Sequence, residues 1–305
     1  MKRVALIICM VTLMVFCAMS ISCTVAESKV AVISLSGPIQ SESSGLFFGG
    51  DIISPQLVRN QLGRAKNDIT VKAVVIRVES PGGSVAACQE ILNEMEQLEK
   101  PTVVSFGTTA ASGGYYISAK ADKIVALPGT LTGSIGVISQ LPNLSGLFDK
   151  IGLDMEVFKG GKYKDMYAGL RELTPEEKAL MQEITDQLYG QFVQVVVEGR
   201  GLSEVKVREL ATGQLYTGVQ AQELGLVDEL GGLDTAIDVA AVLAGIEKPK
   251  VDYYKREAPS LLNTLLGLGM NWQGLDSVLQ TKLFGAEGVI LLRFLDNPYP
   301  QPEYR

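Results

Sequence analysis

The sequence predicts an α/β protein built on a mostly parallel β-sheet with flanking helices. Apolar, β-branched runs of strand length alternate with runs of helical spacing through the first half of the chain. Glycine-rich turns follow three of the apolar runs, namely Pro81-Gly82-Gly83, Ser112-Gly113-Gly114 and Thr132-Gly133-Ser134. Because loops after parallel strands gather at one edge of the sheet, we expect these three turns to lie together.

The composition limits the chemistry that the chain can perform. Its 305 residues can bury a sizeable core, and a net charge of −7 without any Lys/Arg-dense stripe argues against a nucleic-acid partner. The chain has no histidine, which excludes Ser-His-Asp and Cys-His catalysis and histidine-ligated metals. A general base must therefore be Lys, Asp, Glu, Tyr or an amine terminus, and we predict no metal and no cofactor.

Residues 1–26 are predicted to be an export signal or membrane anchor. Lys2 and Arg3 form a basic start, and residues 4–26 carry no charge and are long enough to span a bilayer. Thr24-Val25-Ala26 is compatible with cleavage, and Ser20-Ile21-Ser22-Cys23 resembles a lipobox except at Ser20. We interpret the segment first as a retained anchor, second as a cleaved signal and third as a lipoprotein. In each case the body is exported.

Cysteine usage predicts no disulfide framework. Cys9, Cys17 and Cys23 lie in the apolar leader, so the body has one thiol, Cys88. Cys88 follows small residues in a helical pattern, and we interpret it as a core residue rather than a nucleophile.

The elements of the first half follow from periodicity and turn residues. Residues 29–38 form an apolar run that ends in a turn, which predicts the first buried strand, and the Ser/Gly-rich residues 41–50 indicate a loop. Further strands are predicted at 71–80, 102–106, 123–127 and 154–158, and the strand at 123–127 runs on through Pro128-Gly129 to residues 131–137. Helices are predicted at 52–65, at 84–100, after Ser112 and at 144–151.

The second half is predicted to be helical up to about residue 250. Thr174 followed by Pro175 and two glutamates indicates the start of a long helix that reaches about residue 198. Shorter helices are predicted at 203–211, 218–224 and 233–244. We therefore divide the chain into the leader at 1–26, a main domain at 27–250 and a C-terminal extension of unknown role at 251–305. The apolar stretch 261–270 is too short to span a membrane and is interpreted as a packing or assembly helix.

Ser112 is the candidate nucleophile. It stands between a strand and a helix-compatible run, and the two glycines after it permit a tight turn and the close approach of a substrate. Backbone N–H groups at glycine-rich turns of this kind can bind a developing oxyanion. From this motif alone, a serine that caps a helix explains the pattern equally well.

A nucleophilic serine without histidine needs another base. A lysine can serve if burial lowers its pKa toward neutrality. Lys162 and Lys164 are attractive because Gly160-Gly161 would let their backbone come close. The residues alone do not choose between lysines, since most lysines are solvated surface groups.

Six segments in consistent order carry a resemblance to a known family. They are Ser80-Pro81-Gly82-Gly83, Ala111-Ser112-Gly113-Gly114-Tyr115-Tyr116, Thr132-Gly133-Ser134-Ile135-Gly136-Val137, Lys162-Tyr163-Lys164-Asp165, Tyr216-Thr217-Gly218 and Leu226-Val227-Asp228-Glu229-Leu230-Gly231-Gly232-Leu233. Together they resemble the signal peptide peptidase A family over roughly residues 29–245. Ser84 stands where the family sometimes has a third glycine, and the stretch after residue 250 has no match.

The resemblance implies a ClpP/crotonase-like fold and a membrane-associated serine endopeptidase with a Ser-Lys dyad. It makes Ser112 the nucleophile and Lys164 the general base, with Gly83 and Gly113 as oxyanion donors and Ser134 orienting Lys164. The implied substrates are remnant signal peptides cut within apolar segments. The resemblance further implies a ring- or dome-shaped homo-oligomer. Together with the N-terminal segment, it predicts a protein at the cell membrane with its catalytic domain on the extracytoplasmic face.

Three other functions remain open. A related ClpP-like membrane protease acts on stomatin-type partners, but the further membrane spans and small β-barrel domain of that type are not visible in this sequence. An acyl-CoA hydratase or isomerase on the same fold would leave the Ser-Lys set unexplained and would lack CoA outside the cell. In a non-catalytic crotonase-fold scaffold the glycine turns would be purely structural.

Overall fold

The computed structural model describes residues 27–41 and 52–254, which belong to one compact unit. The predictions for the leader, for nearly all of the loop at 41–50 and for the C-terminal extension beyond residue 254 lie outside these residues. No helix within the described ranges is long and apolar enough to cross a bilayer.

The described residues form eight strands and eight helices. The strands are β1 (Lys29–Ser36), β2 (Val71–Ser80), β3 (Thr102–Ala111), β4 (Lys123–Ala126), β5 (Leu131–Gly133), β6 (Leu215–Thr217), β7 (Glu229–Leu230) and β8 (Lys250–Tyr254). The helices are α1 (Pro55–Asn67), α2 (Val85–Glu96), α3 (Gly113–Ser118), α4 (Ser145–Ile151), α5 (Pro175–Arg200), α6 (Glu204–Leu210), α7 (Gly218–Glu223) and α8 (Leu233–Leu243).

All eight strands belong to one mostly parallel sheet. Its order is β6-β5-β3-β2-β1-β8, while β4 pairs with β3 and β7 pairs with β4. Strand β6 runs antiparallel to β5, and the other pairs are parallel. The predicted fold class is therefore confirmed. Parallel strands carry near-continuous apolar runs because both of their faces are buried.

The two faces of the sheet are covered unequally. Alternate residues such as Ala31 and Ile33 face a large core with contributions from α1, α2, α3, α5, α6 and α7. The intervening residues, including Val30 and Val32, face a smaller core completed by α8 through Ala236, Ile237, Ala240 and Ala241. The period of two along each strand separates these cores.

Strand β3 carries the chain to the site and is longer than the predicted run at 102–106. Its first part pairs with β4 and its last part, Thr109–Ala111, pairs with β5. The register against β2 shifts between Val78 and Ser80. There the carboxylate of Glu79 accepts the N–H groups of Thr108 and Thr109 at 2.6 and 2.9 Å. This side chain satisfies backbone donors at the irregularity, so the strand continues to Ala111.

One predicted strand does not form, and three strands were not predicted. Residues 154–158 form no strand. The even-numbered and the odd-numbered side chains of this segment are all exposed, with Phe158 at 91%. A strand needs a neighbour for its backbone groups, and no strand in the described part of the chain pairs with this segment. The sequence analysis also missed β6, β7 and β8, which are short and depend on pairing with distant strands.

Two glycines on α5 test how tightly this helix packs. A Cβ on Gly199 would lie 2.2 Å from the carbonyl oxygen of Ala119, whereas a Cβ on Gly190 would have no atom within 4 Å. We expect Gly199→Ala to lower the free energy of unfolding by about 1–3 kcal/mol through overpacking. Gly190→Ala should raise it by about 0.5–1 kcal/mol, because alanine restricts the unfolded chain more. Urea unfolding of both variants measures the difference, and equal stabilities would contradict the packing.

Candidate active site

Ser112 occupies a strained turn between β3 and α3. Its backbone has φ 51° and ψ −118°, a region that non-glycine residues rarely adopt. Its N–H donates to the carbonyl of Gly133 at 2.8 Å, and its own carbonyl accepts the N–H of Tyr116 at 2.9 Å. The side chain makes no helix-capping hydrogen bond. The structure therefore does not support the alternative in which Ser112 is only a helix cap, and its hydroxyl is available at the sheet edge.

The turn after β2 lies directly against Ser112. A Cβ on Gly82, which has φ 104°, would lie 2.8 Å from the Cβ of Ser112 and 2.6 Å from the nitrogen of Gly113. A Cβ on Gly113 would lie 3.0 Å from the nitrogen of Gly83. Among the described residues, the backbone hydrogen bonds around these turns use the N–H groups of Ser84 and Ser112 but not those of Gly83 and Gly113. Two neighbouring N–H groups are thus left for a ligand.

The third glycine-rich turn reaches the same place. Ser134 follows β5 with φ 49°, and its N–H donates to the carbonyl of Gln214 at 2.8 Å. Within the described ranges, Ser112 and Ser134 are the two non-glycine residues with positive φ. Both line one cavity together with Gly83. The expectation that the three turns gather at one edge is confirmed.

This cavity is a groove of about 560 Å³. Ser112, Ser134 and Pro81 lie on its sheet side, and the opposite wall comes from α5 and the residues after α6. The wall residues are Gln182, Thr185, Asp186, Tyr189, Ala211, Thr212 and Gly213. A volume of this size is typical of a ligand site. The sequence analysis missed the contribution of α5, because a polar helix face resembles an ordinary solvated surface.

A second, much smaller cavity of about 20 Å³ also borders Ser112. Its apolar walls include Cys88, Leu188 and the rings of Tyr116 and Phe192, which meet edge to face at 5.0 Å between centroids. Burial raises the pKa of the Cys88 thiol to about 12, so this thiol stays protonated. Cys88 is thus a core residue, as its pattern indicated, and the cavity has room for a small apolar group.

Lys164 lies apart from these cavities in the structure of the single chain. It belongs to the segment between α4 and α5, its side chain is exposed, and it lines neither cavity at Ser112. Its backbone N–H donates to the carbonyl of Gly161 at 3.4 Å. The structure therefore brings together four of the five predicted site residues, Ser112, Gly83, Gly113 and Ser134.

The segment before Lys164 is unusually apolar for an exposed surface. We call residues 138–158 the apolar arm. No residue of α4, which lies within the arm, is buried. Large exposed side chains of the arm are Ile138, Leu141, Leu144, Leu147, Ile151, Leu153, Met155, Val157 and Phe158. So many exposed large apolar side chains in one short segment are typical of an interaction site.

Comparison with known proteins places the chain among peptidases. The family model described as Peptidase family S49 matches residues 94–247, and the Clp protease model matches residues 27–132. With the mostly parallel sheet, these matches confirm the ClpP/crotonase-like fold class. They also agree with the resemblance that the sequence motifs indicated.

Three relatives illustrate the similarity. A Synechocystis sp. protein provisionally named as a protease is 46% identical over 211 residues, which are 68% of this chain and 74% of the relative. An Enterococcus faecium protein provisionally named signal peptide peptidase SppA is 36% identical over 283 residues, 92% of this chain and 82% of the relative. Protease 4 of Haemophilus influenzae is 36% identical over 249 residues, 78% of this chain and 40% of the relative.

The strain at Ser112 can be measured with two substitutions that both remove the hydroxyl. Ser112→Gly should be more stable than Ser112→Ala by about 1 kcal/mol, because only glycine adopts this backbone conformation without strain. Ser34 in β1 is the control, since it is exposed in a regular strand. There glycine should be less stable than alanine. Thermal melting of the four variants gives the comparison, and the same order at both positions would contradict the strain.

Proposed function

Because the chain belongs to peptidase family S49 and is a serine peptidase, we propose a specific activity for it. It is an endopeptidase that degrades remnant signal peptides and other apolar peptides. Ser112 is the proposed nucleophile and Lys164 the proposed general base. The observation that carries the proposal is the strained Ser112, which lies against the Gly82-Gly83 turn and lines a groove of about 560 Å³.

In the proposed acylation step, the hydroxyl of Ser112 attacks the carbonyl carbon of the scissile amide. The neutral amine of Lys164 takes the hydroxyl proton, and the N–H groups of Gly83 and Gly113 stabilise the oxyanion. Lys164 then gives the proton to the leaving amine as the C–N bond breaks, which leaves an acyl ester on Ser112. In the second step Lys164 takes a proton from water as the water oxygen attacks the acyl carbon. Lys164 then returns this proton to the Ser112 oxygen as the ester C–O bond breaks, which releases the peptide acid and restores the serine hydroxyl and the neutral amine.

A dyad completed between subunits is supported by two features of the single chain. Lys164 is exposed outside the groove, and the apolar arm before it leaves a large hydrophobic surface exposed. We infer that copies of the chain assemble as a ring or dome in which each apolar arm packs against a neighbour. Lys164 of one subunit then reaches Ser112 of the next, where Ser134 on the groove wall orients the amine by a hydrogen bond.

Apolar peptides as substrates are supported by the surroundings of Ser112. The small cavity beside it has mainly apolar walls and a volume of about 20 Å³, which suits a small side chain. Signal peptides combine an apolar core with small residues near their cleavage site. The Enterococcus faecium relative is named for activity on this class of peptide.

The same proposal includes attachment to the membrane. The basic start and uncharged stretch of residues 1–26 support an anchor, with the catalytic domain on the extracytoplasmic face. This arrangement would hold the peptidase close to peptides that remain in the membrane after export.

Substitution of the dyad should abolish turnover without disrupting assembly. Ser112→Ala and Lys164→Ala should each lower kcat/KM for an apolar fluorogenic peptide by at least about 10²–10⁴-fold. Lys162→Ala is the matched control, because Lys162 lies on the same segment and pairs with Glu176. It should leave activity within about twofold of the unmodified chain. Light scattering checks assembly. An active Ser112→Ala or Lys164→Ala enzyme would refute the corresponding role.

Mixing the two inactive variants tests whether the dyad forms between subunits. If subunits exchange randomly at equal amounts, about a quarter of the sites receive an intact Ser112 and an intact Lys164. Activity should therefore return to about a quarter of the original value after unfolding and refolding together. No recovery from a mixture that assembles normally would place both residues in one subunit or remove Lys164 from the mechanism.

The pH dependence should identify an amine as the base. Only a neutral lysine accepts a proton, so kcat/KM should rise as the pH increases from about 7 toward about 10. Lys164→Arg should stay inactive throughout this range, because a guanidinium group does not lose its proton. A rate that reaches its plateau near pH 5 would instead point to a carboxylate base.

A further inference from the structure

Arg171 joins the segment that carries Lys164 to the first turn of α5. Its Nε and Nη2 donate to the two carboxylate oxygens of Asp165, each at 2.9 Å. Its Nη1 and Nη2 donate to the two oxygens of Glu177 at 2.8 and 2.7 Å. Asp165 directly follows Lys164 in the chain. A guanidinium group held by two carboxylates in this forked geometry fixes orientation as well as distance.

The helix side of this contact is firmly held. The side chain of Glu177 is 4% exposed. Its carboxylate also accepts the N–H of Thr174 at 2.9 Å, while its own N–H donates to the hydroxyl of Thr174 at 3.2 Å. This reciprocal capping box ties Glu177 to the start of the longest helix in the described part of the chain. The backbone at Lys164 is therefore attached to a rigid helix rather than to a free loop.

The same contact also determines which carboxylates are available to pair with the Lys164 amine. In this part of the described chain the ion pairs join Lys159 to Asp165, Lys162 to Glu176, and Arg171 to both Asp165 and Glu177, but none includes Lys164. Without Arg171, the carboxylate of Asp165 would keep Lys159 on Oδ1 but lose its partner on Oδ2, which leaves an incompletely paired negative group beside Lys164 in the chain. A nearby opposite charge favours the protonated form of an amine, which cannot act as a base.

Other charged groups surround this segment. Those on or near it are Lys159, Lys162, Tyr163, Asp165, Arg171 and Glu172, those in the first turn of α5 are Glu176, Glu177 and Lys178, and those beside the cavity lined by Asp165 and Arg171 are Asp149 and Asp154. Arg171, followed by Lys159, holds the pKa of Asp165 well below its usual range. Arg171, followed by the N–H of Thr174, lowers the pKa of Glu177 to about 2.

These lowered pKa values define where the contact contributes stability. A carboxyl group whose pKa is lower in the folded state stabilises the fold above its unfolded pKa of about 4, and this contribution is lost as the pH falls toward the folded value. The contact among Asp165, Arg171 and Glu177 is therefore intact at neutral and alkaline pH, where a neutral amine can act.

We propose that Arg171 is a positioning residue of the peptidase. With Asp165 and Glu177 it attaches the backbone at Lys164 to α5, and it keeps the Asp165 carboxylate from pairing with the Lys164 amine. This inference rests on the proposed function, because it gives Arg171 a catalytic consequence only where Lys164 is the base.

The test compares Arg171→Gln and Arg171→Lys with Arg59→Gln in the full-length oligomer. Arg59 pairs with Glu94 at 2.8 Å on the exposed side of α1, away from the residues that line the groove, and so serves as the matched control. Arg171→Gln should lower kcat about 10- to 100-fold with KM within about twofold, and should move the pH–rate profile to higher pH. Arg171→Lys should be intermediate, and Arg59→Gln should match the unmodified chain.

A double variant separates the two effects of Arg171. In Arg171→Gln combined with Asp165→Asn, the amide carries no charge, so the pH–rate profile should return toward that of the unmodified chain. The kcat value should stay low, because the attachment to α5 is still missing. A purely structural role would lower activity only in proportion to folded protein, measured by circular dichroism, and would leave the pH–rate profile unchanged.

The possible failures can be told apart. If Lys164→Ala is inactive and Arg171→Gln keeps the original kcat and pH–rate profile, the positioning role is refuted and the dyad stands. If Lys164→Ala is active, the dyad and the role of Arg171 are both refuted. Unchanged labelling of Ser112 by a fluorophosphonate in Arg171→Gln, measured at the pH of the assay, would also contradict the positioning role.

Discussion

Contact between backbone turns at the carboxyl edge of the sheet is the constraint on which the site depends. A Cβ on Gly83 would lie 1.9 Å from the carbonyl oxygen of Ile39, so the turn after β2 leaves no room for a side chain on this flank. On its other flank the same turn meets Ser112 and Gly113. The parallel register of β1, β2 and β3 brings these segments to one edge. The N–H groups of Gly83 and Gly113 therefore lie beside Ser112 because the backbones of these turns pack directly against each other.

The surrounding hydrogen bonds maintain the unfavourable conformations of the two serines. Ser112 is held between the carbonyl of Gly133 and the N–H of Tyr116, and Ser134 is held by the carbonyl of Gln214. Because β5 pairs with both β3 and β6, a movement at one serine would disturb the strand that supports the other. Strained residues persist where their surroundings determine them this strongly, and they cluster at functional sites.

The sequence predicted the central sheet well, because strands buried on both faces leave near-continuous apolar runs such as that of β2. It also identified the turns that meet at Ser112, since their glycines follow those runs directly. The strand predicted at residues 154–158 does not form, because alternating apolar residues do not reveal whether a partner strand exists. The contact of Arg171 with Asp165 and Glu177 was missed as well. Charged residues at such spacing look like ordinary surface groups until the chain folds.

The two faces of the sheet are covered by elements from different parts of the chain, so the two cores form at different stages of synthesis. Lys29 at the start of β1 pairs with Lys250 in β8, and the face that carries Val30 and Val32 is covered by α8. A ribosome delivers these late elements only after the other strands have been made. Until then the first strand lacks both its outer neighbour and its cover, and contacts so distant in sequence form slowly. This half of the core therefore closes last, when segments from the two ends of the described range come together.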